Sequence, residues 1–288
     1  MLKIKKILLP VDVPVASLRV IHQAATLAQH FHSEIVMLHV LTPLSHAAGV
    51  PEGSRELAEW DLLAEVIREA EKKQDERLSA DLAGLLIQRM LVTGNPAEVI
   101  VRTAEKEKAD LIMMPSHGAT FYQFLLGSVT AKVLQGTDCA VWTGAHEEES
   151  PVREFALRNV LCAVHLGPRS AESVSLAAQM AAEFGARLTL AHATPGVEFW
   201  GPGGSYVNQK WKERLVADAS RRITDLQHDL GIHTDVFIDS GDAAKVLSQA
   251  AKQTNADLLI TGCYPCGVHL RTHGYGSICA VPIPILSF

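Results

Sequence analysis

The sequence has no excess of basic residues: 26 Lys and Arg stand against 32 Asp and Glu, a formal net charge of −6 over 288 residues. That balance argues against a nucleic-acid partner, which usually meets a basic face, and leaves room for a small anion held locally. Nor is there a run of apolar residues long enough to cross a bilayer, so no membrane partner is expected. The start, Met1-Leu2-Lys3-Ile4-Lys5-Lys6, is basic but lacks a following hydrophobic region and cleavage site; it runs straight into the strand-like ILLPV, and the expectation is a cytoplasmic protein. Cysteine is sparse, odd in number and late in the chain. Cys139, Cys162, Cys263, Cys266 and Cys279 do not form the pattern of a secreted disulfide framework. Catalytic signatures are missing as well. No Gly-x4-Gly-Lys-(Ser/Thr), no Gly-x-Ser-x-Gly and no His-Glu-x2-His occurs. Gly201-Pro202-Gly203 reads as loop, without the rest of a dinucleotide fingerprint, and carboxylates pair only along helix faces. No catalytic residue is assigned.

What the chain does have is an ordinary apolar fraction of 48% and length for two domains. Its organising stretch is DLIMMPSHGATFYQFLLGSV, residues 110–129. Leu111 to Met114 is short and apolar enough for a buried parallel strand. The run breaks at Pro115-Ser116-His117-Gly118 and resumes at Gly127-Ser128, which opens an amphipathic segment with Val129, Val133 and Leu134. A strand, a small-residue loop and a helix start form an arrangement that binds phosphate, because free N–H groups point at the anion and glycines let it approach. Gly and Ser serve plain turn geometry equally well.

Residues 4–11 read as a strand. A helix follows with Leu18, Ile21, Ala25, Ala28 and Phe31 at helical spacing, and Ser17 as its cap. Residues 34–41 read as a strand, 42–54 as a loop, 55–84 as a long solvated helix and 86–93 as a third strand. Gly94-Asn95-Pro96 opens a helix running to residue 107. The central strand and loop come next, then a helix from Ser128 and a last strand over 139–143. Strands alternating with helices imply right-handed crossovers and a parallel sheet.

After the proline-ended linker Glu147-Glu148-Glu149-Ser150-Pro151 the pattern restarts. VLCAVH at 160–165 repeats ILLPVD at 7–12, and LTLAHAT at 188–194 repeats IVMLHVL at 35–41, with His192 on His39. SGDAAKVLSQAAKQTNADLLITG at 240–262 repeats TGNPAEVIVRTAEKEKADLIMMP at 93–115. Asp12 to Val40 is 28 residues, as is His165 to Ala193; Gly94 to Asp110 is 16, as is Gly241 to Asp257. Three blocks in order at equal spacing indicate an internal duplication. The offset between copies is 153 at Asp12/His165 and 147 at Asp110/Asp257, so the second copy is six residues shorter around its long helix. Two related α/β domains are expected, at 1–146 and 154–288.

These blocks together resemble the universal stress protein family in its tandem two-domain form. The resemblance implies two Rossmann-like domains of the adenine nucleotide alpha hydrolase-like kind, each a five-stranded, mainly parallel sheet flanked by helices. It also implies pairing through the last strands, here within one molecule, and leaves a homodimer of two chains open. Nucleotide-binding members carry Gly-x2-Gly-x9-Gly-(Ser/Thr). Here Pro115 takes the place of the first glycine, removing an N–H, and eight residues, not nine, separate Gly118 from Gly127.

By resemblance, Asp12 contacts the adenosine part of ATP beside Pro10 and Val11, and Val40 packs on adenine. Met114, His117 and Gly118 line the ribose and phosphates, and Gly127, Ser128 and Val129 donate to the phosphates. Each also has a plainer reading: Asp12 and His117 as loop residues, Ser128 as an N-cap, Val40 and Met114 as core. In the second domain His165 replaces the Asp, Gly262 is kept, Pro265 replaces the next glycine, and Gly276-Ser277 is followed almost at once by Val281-Pro282-Ile283-Pro284. That half is expected to be a degenerate, structural partner.

The same late loop holds Cys263-x2-Cys266-x2-His269-x3-His273. The residue types suit zinc, but the pairs stand far closer than in a zinc finger. Cys-x-x-Cys also lacks a thioredoxin-like setting. The competing reading is loop residues filling a decayed nucleotide site. The expected function is a stress-response module that binds ATP, with magnesium, as a signal rather than an efficient enzyme, with at most slow hydrolysis. The alternatives are a pseudo-dimer scaffold that binds no nucleotide and a metal or thiol sensor at Cys263 and Cys266.

Overall fold

In the computed structural model, residues 2–11, 18–42, 65, 69, 72, 82–115, 127–144, 155–196, 198–201, 204–207, 209–262 and 281–288 are described. The first half runs β1 (Lys6–Pro10), α1 (Leu18–Phe31), β2 (Glu34–Leu41), β3 (Leu86–Thr93), α2 (Pro96–Glu107), β4 (Leu111–Met114), α3 (Ser128–Gly136) and β5 (Ala140–Thr143). The second runs β6 (Asn159–Ala163), α4 (Ser170–Phe184), β7 (Arg187–Thr194), β8 (Glu198–Gly201), β9 (Gly204–Val207), α5 (Gln209–Leu230), β10 (Asp235–Ser240), α6 (Ala243–Thr254), β11 (Leu258–Thr261) and β12 (Ile285–Ser287). Glu65, Glu69 and Lys72 are helical and exposed, one solvated face of the charged segment before β3.

Ten strands form one sheet in the order β10-β7-β6-β11-β12-β5-β4-β1-β2-β3. Within each half the pairings are parallel and the strand order is the same, as the duplication requires. The halves join where β5 and β12 pair antiparallel, with Thr143 opposite Ile285, Trp142 opposite Leu286 and Val141 opposite Ser287. The last-strand pairing implied by the family resemblance is therefore made within one chain.

The apolar runs become central strands because both of their faces are covered. Alternate residues serve opposite layers. Ile7, Leu9, Leu111 and Met113 join Val20, Ile21, Ala24 and Leu27 of α1 in one core cluster, which continues across the seam to Trp142, Leu286 and Val174 of α4. Leu8, Ile112 and Met114 face the other way, onto Val99 and Ile100 of α2 and Val133 and Leu134 of α3.

Repeated hydrogen bonds fix the duplicated elements. Asn95 caps α2 through Ala97 N–H, and its counterpart Asp242 caps α6 through Lys245 N–H. Both helices end on a left-handed residue, Lys108 at φ 55° and Asn255 at φ 47°. Asp110 Oδ2 accepts from the backbone N–H groups of Lys5 and Lys6 at 2.7 and 2.9 Å. Asp257 Oδ2 does the same for Arg158 and Asn159 at 2.8 and 2.9 Å. Each carboxylate thus clamps the entry of its half's first strand to that of its fourth. Replacing either by Ala is expected to lower stability by about 1–2 kcal/mol, the scale of charge-assisted hydrogen bonds at a partly wet site. Urea unfolding of Asp110→Ala and Asp257→Ala checks this, and Asn at either position should retain part of the loss.

Gly201, read as loop, ends a strand, while Pro202 and Gly203 lie outside the described residues. β8 and β9 pair antiparallel, with Gly201 opposite Gly204 and Phe199 opposite Tyr206. Two short runs containing Phe, Trp, Tyr and Val flank Pro202-Gly203, which is hairpin chemistry. Strand β1 is also shorter than residues 4–11, and β5 starts at Ala140. Among the described residues no helix is long and apolar enough to cross a membrane.

Candidate functional site

In the first half, β2 and β3 lie to one side of β1 and β4 lies to the other. The crevice at the carboxyl ends of β1 and β4 is the topological switch point, where open α/β sheets bind ligands. Seven described candidates, Pro10, Val11, Val40, Met114, Gly127, Ser128 and Val129, come to this end. Asp12, His117, Gly118, Cys263, Cys266, His269 and His273 lie outside the described residues.

The exit of β1 is held from both sides. Val11 N–H donates to Leu38 C=O at 2.9 Å, continuing the ladder one residue past the strand. Its carbonyl lies 2.9 Å from Nδ1 of His39, a ring only 4% exposed. That contact requires the proton on Nδ1, since a carbonyl only accepts. The second half repeats the arrangement: Val164 N–H donates to Ala191 C=O at 2.8 Å, and His192 Nδ1 lies 2.6 Å from Val164 C=O. The repeated histidines are therefore backbone clamps, and each fixes the point from which the next residue, Asp12 or His165, departs.

The exit of β4 is tied to α3. Met114 C=O accepts from Gly144 N–H at 3.0 Å, and Pro115 C=O accepts from the Thr130 hydroxyl at 3.1 Å. Gly127, extended at φ −57° and ψ 142°, is the N-cap of α3 and has no side chain to cap it. No acidic residue lies in the first turn of α3, whereas α2 carries Glu98 there. The positive end of α3 is thus unopposed by a carboxylate of its own first turn, which favours an anion beside it. Ser128 is exposed and Val129 half-buried. Pro10 and Val40 are half-buried at the ends of β1 and β2. The Met114 side chain is 4% exposed and packed in the core, so only its main chain is available to the crevice.

The corresponding crevice of the second half differs in its groups. His165 is exposed, with Nε2 3.4 Å from the Thr261 hydroxyl. Gly262 answers to packing: a Cβ there would lie 2.7 Å from Ser173 Oγ on α4.

Among the described residues, no group of three or more His, Cys, Asp or Glu could hold a metal ion. Burial pushes the Cys162 thiol up to about 12, and burial with the nearby Asp110 carboxylate does the same for Cys139. Both therefore stay protonated at neutral pH. The described part of the first crevice offers backbone N–H groups, hydroxyls and apolar surface. Sequence reasoning missed two contributors. His39 was visible as a repeat but without a role, and Thr130 carried no signal because its partner is a carbonyl fifteen residues away.

The sequence profile of the universal stress protein family matches residues 3–143 and 156–264. Universal stress protein MJ0531 of Methanocaldococcus jannaschii is 35% identical over 141 residues, 48% of this chain and 79% of the relative. Universal stress protein MJ0577 of the same organism is 30% identical over 143 residues, 46% of this chain and 88% of the relative. Among solved structures, a universal stress protein from Archaeoglobus fulgidus aligns over 99% of this chain and 96% of its own at 20% identity, with a TM-score of 0.72, a likeness of fold.

Proposed function

Because this chain belongs to the universal stress protein family, we propose that it is a cytoplasmic stress-response module that binds one adenine nucleotide, ATP with magnesium, in its first half. The observation that carries this reading is the start of α3, with glycine as its N-cap and no acidic residue in its first turn, tied through Thr130 to the exit of β4 at the switch point. A triphosphate supplies the dense negative charge such a helix start recognises. Gly127, Ser128 and Val129 donate to it from the backbone. Asp12, leaving the pinned Val11, faces the ribose, and Val40 offers apolar surface to the base. His117 and Gly118 complete the loop, and Met114 contributes its main chain.

Pro115 fits this reading. It withdraws one N–H, but the donors at the α3 start are untouched, and its carbonyl is what anchors Thr130. At the matching Gly262, the glycine serves helix approach. The chain's own groups bind and orient, and in this reading the output is a changed surface.

Calorimetric titration with ATP and magnesium tests the reading, after purified protein has been checked for nucleotide carried through. Saturation at one per chain is expected. Two per chain would make the second half a site as well. No heat across a range of temperatures, with no carried nucleotide, would overturn nucleotide binding and leave the joined sheet as a scaffold.

A further inference from the structure

The two halves meet along more than a ladder of hydrogen bonds. His30 and Phe31, in the last turn of α1, lie against Glu183 and Phe184, in the last turn of α4. The 153-residue offset of the duplication makes His30 the counterpart of Glu183 and Phe31 the counterpart of Phe184. The sheet obeys the same rule. Trp142 lies beside Met113, and Leu286 beside Ile260; those neighbours are matched by the 147-residue offset, so Trp142 and Leu286 are counterparts, and they face each other across the seam. Each of these residues meets its own counterpart, the geometry of an isologous two-fold contact.

On such an axis every difference between the copies becomes an unlike pair. Phe31 and Phe184 are alike, edge to face at 5.8 Å. The other two pairs are not. His30 Nε2 lies 3.5 Å from Glu183 Oε1, with its ring stacked on Phe184 at 4.2 Å. The fully buried indole of Trp142 faces Leu286, itself 3% exposed.

We infer that this seam selects unlike halves. The face carrying Trp142 and His30 takes a partner offering a branched aliphatic side chain and a carboxylate, the second half of this protein, and rejects another first half. Two first halves would set indole against indole in a space built for one indole and one isobutyl group, and overfilled cores are destabilised. Two second halves would leave that space underfilled and bring two Glu183 carboxylates together. Selectivity follows from repulsion of the wrong pair as much as from attraction of the right one. The chain therefore closes on itself. The intermolecular pairing that preserves both unlike pairs is a reciprocal exchange of second halves between two copies.

Exchange of the paired groups in the full-length chain tests this. His30→Glu should lower the thermal midpoint by about 2 °C or more beyond His30→Gln, because it adds like charge rather than only losing a contact. Adding Glu183→His to His30→Glu should recover at least half of that loss. Trp142→Leu and Leu286→Trp should each lower the midpoint, and together lose at most half of their summed shifts. Recovery in either exchange supports the proposal. Strict additivity in both overturns it, as does a His30→Glu protein no less stable than His30→Gln when the Trp142 and Leu286 exchange also shows no recovery. The charge exchange is on the half-exposed rim, so it decides the matter if Leu286→Trp fails to fold.

Discussion

Trp142→Ala is expected to lower the stability of the whole chain by about 3–5 kcal/mol, the cost of removing a large aromatic side chain from a packed core. Among the described residues Trp142 is the largest side chain that is fully buried. Its indole N–H donates to Gln23 Oε1 at 3.0 Å, and Gln23 is itself 4% exposed, so truncation leaves both a cavity and an unpaired amide. The ring also meets Phe155 edge to face at 5.7 Å, which adds to the loss. Phe155 lies just ahead of β6, and β5 carries the pairing with β12. One side chain therefore links α1, the seam and the entry to the second half. Trp142→Phe keeps a ring against Phe155 and loses the hydrogen bond, so about 1–3 kcal/mol is expected. Guanidinium unfolding followed by circular dichroism measures both. An Ala variant within 1 kcal/mol of the parent would mean the seam is held by something else.

Asp12→Ala is expected to weaken ATP binding by about 10–150-fold, the equivalent of one hydrogen bond to a charged group, about 1.5–3 kcal/mol. His165→Ala should leave both affinity and stoichiometry unchanged. The two positions are counterparts, and each leaves from a valine whose N–H and C=O are both held. The backbone upstream is clamped alike, so the prediction rests on the side chain that differs between the halves, Asp12 in the first and His165, beside the Thr261 hydroxyl, in the second. Calorimetry on the two variants separates the cases. Equal losses in both would mean that nucleotide sits at both crevices.

Much of the fold was legible in the chain. Short apolar runs and helical spacing located β2, β4, α2 and the start of α3, because their faces are buried with periods that sequence displays directly; β3 was located as well, although it is an edge strand with no buried residue. The β8–β9 hairpin was overlooked because its Gly-Pro-Gly centre looks like loop, although the flanking Phe, Trp, Tyr and Val were in plain view. The candidate site was legible as a place more than as an arrangement. The strand, loop and helix start were readable from 110–129, but the tether from Thr130 to Pro115 was not, since a hydroxyl on a carbonyl leaves no mark in sequence.

The sequence by itself determined that the chain is a duplicated α/β protein, because matched spacings need only the linear order of residues to be seen. It also marked the strand, loop and helix start over 110–129, while the crevice beside them follows from the strand order of the folded sheet. The family resemblance implied that the copies join through their last strands, and only the tertiary structure decided which residues meet there. Thr143 meets Ile285 across 142 residues of chain, and His30 meets Glu183, through contacts that depend on which atoms come within reach after folding. It likewise decided that His39 and His192 serve the backbone, that Gly262 serves a helix and that Met114 belongs to the core. Those roles are set by burial and by the direction of one bond, and neither quantity exists until the strands are side by side.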